Sequence, residues 1–212
     1  MDKKQSKVLP ESLSQIQRDV LVGLLLGDGH LETQNGGRTY RLKVEHGLKQ
    51  KDYVHWLYGI FSEWVPNGIY NKNRKDGSKS IGFTTRSHGT FRFYGQQFYG
   101  ENQKKHIPTL IRKILTPIGM AVWFMDDGSR KSLRHNTYNI HTLGYLKKDL
   151  EVMQDVLLKM FNIRTRLHKQ KGKYHRIYIL SESAMRFTDL IKEYVIPIQS
   201  MEHKLVTKMP KE

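Results

Sequence analysis

LVGLLLGDG, Leu21–Gly29, is matched further along the chain by MAVWFMDDG, Met120–Gly128, and the pairing of these stretches decides the fold. Each is an apolar run at helical spacing that ends in Asp-Gly, and each has a Lys at the same distance downstream. Asp28 and Asp127 stand 99 residues apart, as do Lys105 in KKHIP and Lys204 in MEHKL, so both Asp-to-Lys gaps are 77. One Asp before Gly is a common way to end a helix. Two at matched spacing, each with its own Lys, describe two copies of one chemical unit.

Both apolar runs carry their own start signals. Ser14 with Gln17 three residues later forms a capping-box pattern, and Thr116-Pro117 places a cap residue before Pro at the first helical position. After the first Asp-Gly, two strands are expected around the Asn35-Gly36-Gly37 turn, then a helix in QKDYVHWLYGIFSEWV with Val54, Leu57, Tyr58, Phe61 and Val65 on one face. The second half repeats this order, with a strand pair around Leu133 to Asn136 and a helix in KKDLEVMQDVLLKMF. Leu150, Met153, Val156, Leu157, Met160 and Phe161 form the face of that helix. Hairpins turning at Asp76-Gly77 and near Lys171-Gly172 follow, and each half closes in helical material that reaches its Lys.

The expected class is therefore α+β, with αββαββα occurring twice. The expected organisation is a loose polar arm 1–11, a first half-domain 12–106, a connecting segment 107–115, a second half-domain 116–206 and a tail 207–212. Trp56, Phe61, Trp64, Trp123 and Phe124 fall at core spacing, and packing is their default role.

Composition names the partner class. With 36 Lys+Arg against 20 Asp+Glu the formal charge is +16, beyond the roughly 2 to 8 of an ordinary solubility margin. Such an excess draws phosphate backbones, in double-stranded DNA or in RNA. No apolar run approaches the ~20 residues that span a bilayer, so a membrane partner is not expected. Met1–Glu11 lacks the apolar stretch of a secretion signal. The chain has no Cys, which excludes thiol nucleophiles and Cys-ligated zinc and fits an intracellular setting. Its ten His contain no HExxH pair, and His88, His135 and His203 read as polar surface or DNA contacts rather than zinc ligands.

The strands alternate in a way that fits a basic sheet face. In RTYRLKVEH, Tyr40, Leu42 and Val44 oppose Arg41, Lys43 and Glu45; in IRTRLHK, Ile163, Thr165 and Leu167 oppose Arg164, Arg166 and His168; Ile177 and Ile179 oppose Arg176 and Tyr178. Solubility alone would mix the signs on such faces. The candidate DNA contacts are Glu32, Gln34, Arg38, Arg41, Lys43, Lys72, Arg74, Lys79 and Arg86 in the first half and Lys131, Arg164, Arg166, His168 and Arg176 in the second.

The paired segments resemble the LAGLIDADG homing endonucleases of the single-chain, two-motif type. Leu21, Gly23, Leu24, Asp28 and Gly29 match the consensus position for position, and WFMDDG, KKHIP and MEHKL look like the intron-encoded branch. The likeness spans Ser14 to Leu205. It implies two half-domains whose antiparallel sheets form a DNA-binding saddle, with the two motif helices packed at its centre. It also implies that Asp28 and Asp127 bind Mg2+, or another divalent cation such as Mn2+, with the backbone carbonyls of Gly27 and Asp126 assisting. Lys105 and Lys204 match the family's basic residues near the scissile phosphates; Lys104 is the competing neighbour, and the matched spacing selects Lys105.

The implied reaction is hydrolysis of one phosphodiester on each DNA strand by metal-activated water, carried out by a monomer at a long asymmetric site. An organelle or bacterial gene fits this branch. The chain departs from the consensus at Val122, where the first copy has Gly23, and at Asp126, where it has Gly27, leaving only Gly119 and Ala121 small on the second helix. Two other readings stand beside the nuclease: a maturase that binds intron RNA, or a DNA-binding protein without cleavage, and a two-carboxylate glycosidase. The positive charge and the symmetric lysines disfavour the glycosidase, and chelation separates it from a metal-dependent nuclease.

Overall fold

The computed structural model describes residues 9–100, 103–132, 135–170, 172 and 174–205. The elements in order are α1 (Gln15–Leu26), β1 (His30–Glu32), β2 (Arg41–Gly47), α2 (Lys51–Phe61), β3 (Tyr70–Asn73), β4 (Lys79–Thr84) and α3 (Arg92–Phe98). A short α4 (Ile111–Ile114) leads into α5 (Pro117–Asp127), β5 (Gly128–Ser132), β6 (His135–Ile140), α6 (Lys147–Phe161), β7 (Thr165–Gln170), β8 (Tyr174–Ile179), α7 (Ser181–Val195) and α8 (Gln199–Glu202). The sheets are antiparallel with orders β1-β2-β4-β3 and β5-β6-β8-β7, one topology used twice. Among the described residues no helix is long and apolar enough to cross a membrane.

The start signals operate as read. Ser14 Oγ accepts from Gln17 N and Gln17 Oε1 accepts from Ser14 N, closing the capping box of α1. Thr116 accepts from Gly119 N at the head of α5. Turn glycines sit where a left-handed backbone is needed, with φ 67° at Gly36, 82° at Gly37 and 80° at Gly77. The second-half turns at Leu133 and Lys171 lie outside the described residues.

The two motif helices form the centre. From Ile118 to Met125 every residue of α5 is buried, so this helix has no solvent face, and α1 buries Val20–Leu26 continuously. Their approach is set by glycine. A Cβ on Gly23 would overlap the carbonyl of Gly119, and one on Gly119 would lie 2.9 Å from the Asp19 carbonyl. The sequence favours the first helix as the small partner; the structure uses Gly119 on the second helix as well, one turn before the Val122 that meets Gly23.

The sheets lie with Leu42, Val44, Phe83, Ile140, Ile177 and Ile179 against the core and the basic positions outward. One expectation needs correction. Met160 of α6 is exposed rather than part of the packed face. Lys79 shares the parity of Ile81 and Phe83, opposite to Lys72 and Lys43, because β4 pairs Lys43 with Thr84 and Lys72 with Ser80. Arg164 precedes β7 and pairs with Glu182 of α7 at 3.2 Å. Of the polar arm, Leu9 packs against the core.

The α1–α5 contact makes a direct prediction. Gly23→Ala should lower stability by about 1–3 kcal/mol through overpacking, read as a falling midpoint in urea. Gly59→Ala, in the last turn of α2 with nothing within 4 Å of a new Cβ, should be neutral or raise the midpoint. Equal effects would contradict the close approach.

Candidate active site

Asp28 and Asp127 emerge where α1 and α5 end, and each helix end is closed by a lysine from its own half. Lys105 Nζ donates to the carbonyls of Gly27 at 2.5 Å and Gly29 at 2.6 Å, bracketing Asp28. Lys204 Nζ donates to the carbonyls of Met125 and Asp126. An ammonium at a helix C-terminus satisfies orphan carbonyls and complements the negative dipole end, which an aspartate there would otherwise worsen. Gly27 O and Asp126 O, expected to assist a metal, are thus both engaged by lysine. Lys105, not Lys104, reaches the helix end.

Each lysine arrives on an anchored segment. Tyr99 bridges to Lys105 in antiparallel fashion, and its hydroxyl accepts from Leu31 N at 2.9 Å. The Asp52 carboxylate of α2 accepts from Ser200 N at 2.8 Å, so the first half holds the α8 turn that presents the second half's Lys204. Tyr145 donates to Leu26 O at 2.8 Å across the same dyad.

The Asp126 side chain is fully buried. Its Oδ2 accepts from Asp28 N at 2.9 Å and its Oδ1 accepts from the Tyr53 hydroxyl at 2.8 Å, filling the notch that Gly27 leaves, since a Cβ there would strike this carboxylate. It positions the Asp28 backbone. His46, on the core face of β2, lies between two acids: Nδ1 is 3.8 Å from Asp28 Oδ2 and Nε2 is 3.8 Å from Asp126 Oδ1. Asp28, His46 and Asp126 each offer a ligand atom within 4.8 Å of the others, a set able to hold a cation.

The charges are strained together. Burial, and then the Asp28 charge, pushes the Asp127 carboxyl up to about 7 against the pull of Lys105 and Lys204. Burial and then Asp28 hold the Asp126 carboxyl well above its usual range. Burial lowers both lysines, opposed by the three aspartates. Carboxylates that resist ionisation in a polar cleft ask for a countercharge, and oxygen donors suit a hard divalent cation.

Around this centre lie the outward sheet faces. Glu32 is tied to Arg41 at 2.8 Å and Lys43 at 3.6 Å, and Glu45 to Arg74 at 3.0 Å, so the acids orient basic side chains. In the second sheet His168 stacks on Tyr178 at 4.4 Å and Lys131 lies over the same ring at 5.1 Å. Arg166 and Arg176 share that outward face. Gln34 and Arg38 sit in the β1–β2 connection, and Arg86 is exposed just past β4. His88 is not a free surface group: its Nδ1 accepts from Thr90 N. His203 is exposed, and the His135 side chain lies outside what is described.

Sequence reasoning missed His46, Tyr53 and Tyr145. His46 had a signal, because extending the Leu42, Val44 parity places a histidine on the core face. The other two had none.

The sign of one titration is testable. Because the folded Asp127 holds its proton more tightly than the unfolded chain, its contribution to stability is complete below about pH 4 and lost as pH rises through about 7. With chelator present, Asp127→Asn should melt several degrees above the parent at pH 8, and the gap should close by pH 5. A gap independent of pH would contradict the raised carboxyl.

Comparison with known proteins places this geometry. The model of the LAGLIDADG DNA endonuclease family matches residues 18–187. The "Probable intron-encoded endonuclease 1" of Wickerhamomyces canadensis is 31% identical over 92% of this chain and 86% of its own length. The cytochrome b mRNA maturase bI2 of Debaryomyces hansenii is 30% identical over 88% of this chain and 72% of its own. The solved homing endonuclease I-WcaI, bound to its DNA recognition sequence, is 28% identical and superposes with a TM-score of 0.82, covering 94% of this chain and 90% of that one. With its two motif helices, paired aspartates and twin sheets, the chain belongs to the LAGLIDADG DNA endonuclease family.

Proposed function

We propose that this protein is a site-specific double-strand DNA endonuclease, a homing endonuclease that acts as a monomer and hydrolyses one phosphodiester on each strand of a long, asymmetric site. The observation that carries the reading is the meeting of two aspartate-tipped helices at one dyad, each tip closed by its own lysine. A single chain with both tips needs no partner copy to address both strands. Half-domains 12–106 and 116–206 each present a sheet of different side chains, which suits two unlike half-sites.

Asp28 and Asp127 would hold divalent cations, Mg2+ or Mn2+, which supply Lewis acidity and water activation when bound. The rest falls to the chain. Lys105 and Lys204 place positive charge where the phosphate gains negative charge in the transition state. Asp126 holds the Asp28 backbone, and the buried helix pair fixes the spacing of the two acids. Arg41, Lys43, Lys72, Arg74, Lys131, Arg166, His168 and Arg176 line the outward faces for phosphates and base edges, and Gln34, Arg38 and Arg86 extend them. Arg164, held by Glu182 as Arg41 is by Glu32, adds to them, and Lys79 stands on the other parity of β4.

The test is a cleavage-site selection from a randomised DNA library with Mg2+, followed by assays on the selected duplex. Asp28→Asn and Asp127→Asn should each lose cutting by roughly 10²–10³-fold or more while binding in Ca2+ is kept, and chelator should abolish cutting by the parent. Parallel loss of binding would assign the acids a structural role. The likeness to a maturase favours a second reading, in which the same chain binds intron RNA. RNA binding without any Mg2+-dependent DNA cutting would select it.

A further inference from the structure

Among the described residues, the polar cluster beside Asp28 has no counterpart beside Asp127. His30 and Ser129, each two residues past its motif aspartate, pair with Lys43 and Asn139. Three residues beyond those partners stand His46 in one half and Thr142 in the other. Thr142 is spent on a bond from its hydroxyl to the His175 carbonyl at 2.9 Å. Where α2 offers Tyr53, the matching position of α6 is the buried Leu150, and where α5 offers Asp126, α1 has Gly27. The nearest histidine lining the cleft on the Asp127 side, His141, already bonds Ser129 at 3.0 Å.

His46 is 97% buried on its side chain, being only 3% exposed, yet its Nε2 has no hydrogen-bond partner. That nitrogen faces Asp126 Oδ1 at 3.8 Å, beyond hydrogen-bond reach, and Nδ1 is the nitrogen turned toward Asp28. The ring is threaded between two carboxylates, one half-exposed and one fully enclosed, with the Gln50 amide also near it. Nδ1 lies 3.8 Å from Asp28 Oδ2, and His46, Asp28 and Asp126 each offer a ligand atom within 4.8 Å of the others. Metal-ligating imidazoles characteristically give their other N–H to a carboxylate, which fixes the tautomer. Asp126 Oδ1 stands on that side, itself held by Tyr53.

We propose that His46 is a nitrogen ligand of the cation at Asp28, oriented by Asp126, so that this centre takes a divalent transition-metal ion of the Mn2+ class in preference to Mg2+ while the Asp127 centre is built from oxygen donors. Imidazole donors favour first-row transition ions over Mg2+, which prefers carboxylate and water. The inference rests on the reading of Asp28 as a metal ligand, and the two can fail separately.

The experiment is pulsed EPR on the full chain with Mn2+ alone. The parent should show nitrogen modulation on the Mn2+ signal. His46→Gln should remove it and weaken Mn2+ binding by about tenfold or more with little change in Mg2+ binding, and Asp28→Asn should lose the modulated signal altogether. Thr142→Ser, outside the cluster, should leave it intact. Mn2+ binding that depends on Asp28 but carries no nitrogen modulation overturns the role of His46 and leaves the nuclease reading in place. Mn2+ binding indifferent to Asp28 overturns both. If His46→Gln unfolds, the parent spectrum still decides, since an absent nitrogen signal there is sufficient to refute the assignment.

Discussion

The backbones of α1 and α5 touch at Gly23 and Gly119 with no side chain between them, and the chemistry of the molecule depends on that approach. Helices separated by larger side chains would carry their C-terminal aspartates too far apart to influence one another. Here burial, and after it the Asp28 charge, raises both Asp126 and Asp127. The packing energy of a fully buried α5 and a largely buried α1 holds these like charges together. The lysines at the helix ends relieve part of the strain and leave the remainder for a cation.

The centre is built from two copies of one topology, and the two copies are unequal. The topology is the same twice, down to strand order, and each half supplies its own lysine. The connections across the dyad are not repeated. Asp52 of the first half holds the α8 turn of the second, Tyr145 of the second half caps a carbonyl of α1, and Asp126 reaches under Asp28 to Tyr53. A single chain can accumulate such one-sided contacts, which a symmetric dimer would have to accept in both copies.

Much of this was legible in the residues because its causes are local or periodic. The capping box at Ser14, the Thr116-Pro117 start, the turn glycines and the alternation of β2 and β8 follow from rules that act within a few residues, and the paired spacing of Asp28, Lys105, Asp127 and Lys204 exposed the duplication. What escaped depends on contacts between distant segments. Nothing near Tyr53 or Tyr145 says which carboxylate or carbonyl it will meet, and Asp126 could be placed only once Gly27 was seen to leave a notch for it. The parity of Lys79 likewise follows from the pairing of β4 with β2, which no local signal announces.

The most direct test of the central claim is a double-mutant cycle on stability at pH 8 with chelator, using Asp28→Asn, Asp127→Asn and the pair. If the two carboxylates repel across the helix junction, each single change stabilises and the double change adds clearly less than their sum, because the first neutralisation already removes the repulsion. Strict additivity, within about 0.3–0.5 kcal/mol, would mean that the aspartates do not sense each other and that the helix ends do not form one site.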